Sequence, residues 1–148
     1  MTSVVPPRPV PIDHELFASL DPPRLAGATC GRCGTTIFPV GPSCPRCSAA
    51  GSDISVVTLP ETGTIWTLTV QGFEPKPPYH APPDGFAPYA VGYVDLGGVL
   101  VESLLVGDPA MLDIGLRVWL TLVPIGATGE VTYAFEPTTG LEETGADA

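Results

Sequence analysis

The sequence predicts a mostly β protein: a short N-terminal helix, a small unit pinned by cysteines, then a barrel of short strands. Three observations carry this expectation. Glycine and proline, 17 and 19 of 148 residues, make up about a quarter of the chain, roughly double their ordinary share, and both interrupt helices far more than short strands joined by turns. Hydrophobic residues reach 44% while charged residues stop at 15%, which suffices for a core in a chain one domain long. All four cysteines lie between positions 30 and 47.

Residues 1–27 read as a proline-rich arm (Pro6, Pro7, Pro9, Pro11) and a short docking helix. Ile12, Leu16, Phe17 and Leu20 share one face at helical spacing, Asp13 suits an N-cap, and Pro22-Pro23 end the segment. The helix is expected from Asp13 to about Leu20. Being so short it is marginal alone in water and must dock on its own domain or on a partner. The opening MTSVVPPRPVP has no apolar signal-peptide centre, and no apolar run approaches the ~20 residues of a membrane span. A cytoplasmic chain without membrane contact is expected.

Residues 28–50 form the second unit. Cys30-Gly31-Arg32-Cys33 and Cys44-Pro45-Arg46-Cys47 are two C-x2-C knuckles ten residues apart. A two-residue spacer lets both sulfurs of a knuckle face one tetrahedral ion, and Gly34 suits the positive φ that such a turn requires. Thr35 to Phe38 reads as a strand and Pro39 to Ser43 as a turn, making a rubredoxin-like zinc ribbon. Iron uses the same four thiolates; two disulfides would need an oxidising compartment. Zinc is the preferred reading, one Zn2+ per chain. Four protein ligands leave no open coordination position, so the ion is structural.

Residues 51–136 turn to strands: Thr64–Val70, Tyr89–Leu96, Val99–Val106 after the Gly97-Gly98 turn, Leu116–Val123 and Val131–Phe135. Asp108-Pro109 opens one helical turn between the third and fourth. Five strands with that insertion match the five-stranded OB-fold barrel, a β-sandwich being the alternative. Gln71 to Pro88 is a long connection with six prolines. Its Phe73, Tyr79, His80 and Phe86 are candidate ligand- or partner-binding residues, or aromatics that lie down on the barrel. Residues 137–148 are expected to be a disordered acidic tail.

Charge narrows the function. Six basic residues face 16 acidic ones, for a net charge of −10. The six are scattered (Arg8, Arg24, Arg32, Arg46, Lys76, Arg117), whereas nucleic-acid binding needs clustered cations. Catalytic machinery is sparse. His14 and His80 are the only histidines, no serine occupies a Gly-x-Ser-x-Gly elbow, and Asp95 and Glu102 flank a hairpin facing solvent. No catalytic residue is assigned.

The order of helix, ribbon and barrel resembles the DUF35 family of zinc-ribbon OB-fold proteins. The resemblance spans roughly Ile12 to Glu136. Its carriers are Cys30-Gly31-Arg32-Cys33-Gly34, Ile37-Phe38-Pro39, Cys44-Pro45-Arg46-Cys47, Thr62-Gly63-Thr64-Ile65-Trp66-Thr67-Leu68-Thr69, Pro88-Tyr89-Ala90-Val91 and Ile114-Gly115-Leu116-Arg117-Val118. Where family members often carry Pro-Pro-Arg before the second knuckle, this chain reads Pro39-Val40-Gly41-Pro42-Ser43 and lacks the basic residue. The resemblance implies an accessory subunit that pairs, as a hetero-oligomer, with a thiolase-like or lipid-transfer-type acyl-CoA enzyme. Some members pair with a hotdog-fold hydratase. The implied setting is acyl-CoA metabolism, of steroid side chains or fatty acyl groups, by aldolase, lyase or thiolase chemistry on the partner. Two other readings stand beside it: an OB-fold nucleic-acid module, and a stand-alone acyl-thioester enzyme using His80 and Tyr79.

Overall fold

The computed structural model describes residues 10–77, 84–125 and 129–138. After the two-residue strand β1 (Val10–Pro11), Asp13 does cap a helical turn, its carboxylate accepting from the Glu15 N–H at 2.9 Å. That turn is a 3-10 turn of three residues, His14–Leu16, and the expected helix to Leu20 does not form. The chain instead enters strand β2 (Phe17–Leu20), which reverses at Asp21-Pro22 into β3 (Pro23–Cys30). The physical reason is competition. A helix of two turns has little stability of its own, while the strand pairs Phe17 with Leu25 and Leu20 with Pro23, and Phe17 packs against the barrel core.

The sequence reading also missed β3. Its Leu25-Ala26-Gly27-Ala28 is buried throughout, so it shows no alternation of apolar and polar residues. Gly27 is required there: a Cβ would press on the Leu59 side chain at 2.6 Å. β3 is the centre of the ribbon sheet, pairing with β2, with β4 (Thr36–Ile37) and with β5 (Ile54–Thr58).

Strands β6 (Thr62–Gln71), β7 (Tyr89–Asp95), β8 (Leu100–Leu105), β9 (Arg117–Ile125) and β10 (Glu130–Pro137) build the barrel. β6–β7 and β7–β8 are antiparallel, β8–β10 parallel, and β10–β9 and β9–β6 antiparallel, which closes the wall. β1 adds alongside β10, Val10 opposite Glu130. The expected helical turn is the 3-10 turn Pro109–Met111, where the Asp108 carboxylate accepts from the Ala110 N–H at 3.0 Å. The wall runs beyond Glu136: Pro137 pairs with Val118 and Thr138 is buried. Those two residues therefore belong to the barrel and not to the expected tail, whose remaining residues lie outside the described ones.

One core joins ribbon to barrel. Leu25 and Leu59, from the ribbon side, are buried with Ile65, Val94, Val101, Val118 and Phe135. Phe38 of the ribbon meets Tyr133 of β10 edge to face, ring centroids 5.7 Å apart. A smaller cluster of Ala28, Cys30, Ile37, Cys44 and Ala49 surrounds the knuckles.

Candidate metal centre and sheet face

The two knuckles repeat one local design. Cys30 ends β3; its carbonyl accepts from the Gly34 N–H at 2.8 Å, and its N–H donates to the Thr35 carbonyl at 2.9 Å. In the second knuckle the Cys44 carbonyl accepts from Ser48 N–H at 2.8 Å, and Cys44 N–H donates to Ala49 O at 2.7 Å. Gly34 and Ser48 occupy matching places, with φ of 79° and 66°. The Arg46 N–H also points at Cys44 Sγ, 3.4 Å away, a donor that stabilises a thiolate.

Together the knuckles bring the four sulfurs within 4.8 Å of one another. Cys30 Sγ lies 3.6 Å from Cys47 Sγ, and Cys33 Sγ lies 3.6 Å from Cys44 Sγ. Those spacings far exceed a disulfide bond of ~2.05 Å. They match the ~3.8 Å edge of a tetrahedron whose corners sit ~2.3 Å from a central zinc ion. The donor set fits one structural Zn2+. The Thr35 hydroxyl, 3.0 Å from Cys33 Sγ, and the Thr35 backbone hold the Cys33 thiol down at about 6, already near its metal-binding form. Cys47 accepts a hydrogen bond at its sulfur from the Ala49 backbone, which lowers its pKa. Desolvation and the three neighbouring sulfurs outweigh that and push it up to about 12. A divalent cation relieves this crowding of negative charge.

The loop candidates separate. Tyr79 and His80 lie outside the described residues. Phe73 is 75% exposed. Phe86 is half-buried, its ring edge-to-face on Tyr89 at 6.2 Å, so this aromatic lies down on the sheet. His14 is exposed on its turn, and Glu102 is exposed on β8.

A surface that the sequence reading did not single out lies on β6 and β7, the two strands this loop joins. Trp66 interrupts the β6–β7 register, which steps from Ile65 opposite Val94 to Thr67 opposite Tyr93. The extra residue is a β-bulge, and it leaves Trp66 55% exposed. Tyr93, on the outward row of β7, is 41% exposed, while inward Ala90 and Val94 are fully buried. Gly92, opposite Leu68, has no room for a Cβ, which would collide with the Thr67 carbonyl. The signal in the sequence is a broken period: Ile65 and Leu68, both turned to the core, stand three residues apart, where a regular strand needs an even step.

Comparison with known proteins covers both units. Residues 17–52 match the family model for the ChsH2 rubredoxin-like zinc ribbon domain, and residues 56–123 the model for the ChsH2 C-terminal OB-fold domain. The chain is 27% identical over 120 residues to a DUF35 domain-containing scaffold protein of Methanocaldococcus jannaschii, covering 76% of this chain and 79% of that one. It is 32% identical over 126 residues to a probable enoyl-CoA hydratase alpha subunit of Thermomonospora curvata; 81% of this chain is covered but only 35% of the relative, so the chain spans about a third of that protein. A chain of the solved Ltp2-ChsH2(DUF35) aldolase superposes with a TM-score of 0.64 at 27% identity, covering 86% of this chain and 98% of that one. No helix among the described residues is long and apolar enough to cross a membrane.

Proposed function

The chain belongs to the DUF35 family of zinc-ribbon OB-fold proteins, and from that premise we propose that it is a non-catalytic accessory subunit of an acyl-CoA enzyme. The partner is a thiolase-like or lipid-transfer-type subunit that performs aldolase, lyase or thiolase chemistry on a CoA thioester, of a steroid side chain or fatty acyl group. The chain supports that subunit and helps to shape its acyl-CoA site. It works in the cytoplasm, where reduced thiols persist.

The observation that carries this reading is likeness along nearly the whole length of a chain from the Ltp2-ChsH2(DUF35) aldolase. The name of the Thermomonospora relative, an enoyl-CoA hydratase alpha subunit, supports a hydratase as a further partner. The zinc site fits a supporting part: Cys30, Cys33, Cys44 and Cys47 face one another, and an ion held by all four has no position left for substrate. The ion would hold the knuckles in shape against the barrel.

Co-expression with a thiolase-like subunit from the same genome tests the proposal. A stable complex with lyase or thiolase activity is expected. Separate elution, with the enzyme equally active alone, would refute it. The nucleic-acid reading predicts salt-sensitive binding to single strands; a flat titration at low salt removes it.

A further inference from the structure

We propose that the outward face of β6 and β7, with the segment leading into β9, is where the acyl-CoA enzyme subunit docks, through an apolar patch of its own ringed by lysine and arginine. The proposal rests on the accessory-subunit reading above and adds a place and a chemistry to it.

The geometry starts at the bulge. On one side of Trp66, Gly115 N–H donates to the Ile65 carbonyl at 2.8 Å, bringing Ile114 to the edge of β6. On the other side, Thr67 pairs with Tyr93. Ile114, Trp66 and Tyr93 therefore come from three neighbouring segments. Ile114 is 63% exposed, and Met111, three residues before it, 74%. None of these side chains is needed to fill the barrel, since Ile65, Val94 and Val118 do so. Tyr89, on the same outward row at the start of β7, carries Phe86 of the long connection edge to face. Tryptophan and tyrosine in such settings supply much of the binding energy at protein interfaces.

The rim identifies the occupant. Glu102 stands opposite Tyr93, Asp95 follows two residues along β7, Asp113 adjoins Ile114, and Asp108 caps the turn before Met111. The base nearest in the ladder, Arg117, is opposite Thr64, shares a shallow cleft with Asp95 and is itself engaged. Phosphates are repelled by such a rim, and so is a second copy of a chain with net charge −10. The C-terminal Glu142, Glu143 and Asp147 carry the same sign. The N-terminal residues join at β1, beside β10, whereas β6 has β7 and β9 as neighbours. Charge complementarity leaves a separate protein with a basic-rimmed apolar patch.

The test measures affinity for the co-purified acyl-CoA enzyme subunit by calorimetry at low and high salt, with zinc content and melting temperature as folding controls. Trp66→Ala is expected to weaken binding on the order of 30-fold with zinc and melting unchanged. The double variant Glu102→Lys/Asp113→Lys should bind more weakly and lose most of the salt dependence. Should Trp66→Ala melt early, Ile114→Arg, on an exposed loop position, serves in its place. Wild-type affinity in these variants overturns the docking face and leaves the accessory-subunit reading standing. No binding by the wild type removes both. Self-association or oligonucleotide binding by the wild type that Trp66→Ala abolishes would put another occupant on the face and overturn the proposal.

Discussion

Replacing Cys33 with serine separates what the metal contributes from what packing contributes. Cys33 is the one exposed member of its cluster, so the change opens no cavity, and any loss of structure comes from the ion. Around the knuckles the buried side chains are small apart from Ile37, whose burial is worth roughly 1.5–3 kcal/mol. A structural zinc ion in a small ribbon contributes an apparent ~10–16 kcal/mol, so sulfur–metal bonding dominates there. Beyond β3 the balance reverses, because Leu25 and Leu59 are anchored in a core with Phe135, Ile65 and Val94. Cys33→Ser should therefore lose zinc and amide-exchange protection over the knuckles, roughly residues 31–53, while β6 to β10 stay protected. Metal analysis and hydrogen exchange read the two effects separately. Full zinc stoichiometry in the variant, or barrel amides that exchange together with the knuckles, would refute the reasoning.

Phe135, fully buried on β10, should cost about 3–5 kcal/mol when cut to alanine, measured by denaturant unfolding of the zinc-loaded protein. Gly92→Ala forces a Cβ against the Thr67 carbonyl and the Leu105 side chain; a loss of roughly 1–3 kcal/mol is expected in the same assay. Tyr133→Phe removes the hydroxyl that donates to the Glu102 carbonyl at 2.7 Å yet keeps the ring against Phe38, so about 0.5–1.5 kcal/mol should be lost. Burial first, and then the Glu102 charge, raise the Tyr133 phenol above its usual 10. The folded state then holds that proton more tightly than the unfolded one. The contribution is complete below pH 10 and declines as pH rises through the folded-state value. Absorbance titration of the wild type against Tyr133→Phe should show the missing phenol ionising above its usual 10.

How much was legible varies by element. The knuckles could be read directly, because C-x2-C geometry is set within four residues and the second pair had to complete the same tetrahedron. The barrel strands were legible from β-branched and aromatic runs bounded by turns such as Gly97-Gly98, where φ is 84° and 117°. Asp108-Pro109 marked its turn by local capping. Ile12, Leu16, Phe17 and Leu20 misled: they do have helical spacing, but Phe17 and Leu20 pair with Leu25 and Pro23 across a hairpin. The site divided in the same way, with the sulfurs predicted and the Trp66–Tyr93 face unseen.

The sequence by itself determined the ligand set, the turn chemistry and the succession of the barrel strands, since each depends on residues that are near neighbours along the chain. Only the tertiary structure decided that β3 would be the ribbon's central strand, that Cys30 would face Ile54 across it, and that β8 and β10 would meet to close the barrel. It also decided that Phe38 would lock ribbon to wall through Tyr133. These are pairings between distant segments, chosen by which surfaces can be buried together, and no local propensity encodes them. The exposed Trp66 belongs with them: a bulge exists only relative to the strand beside it.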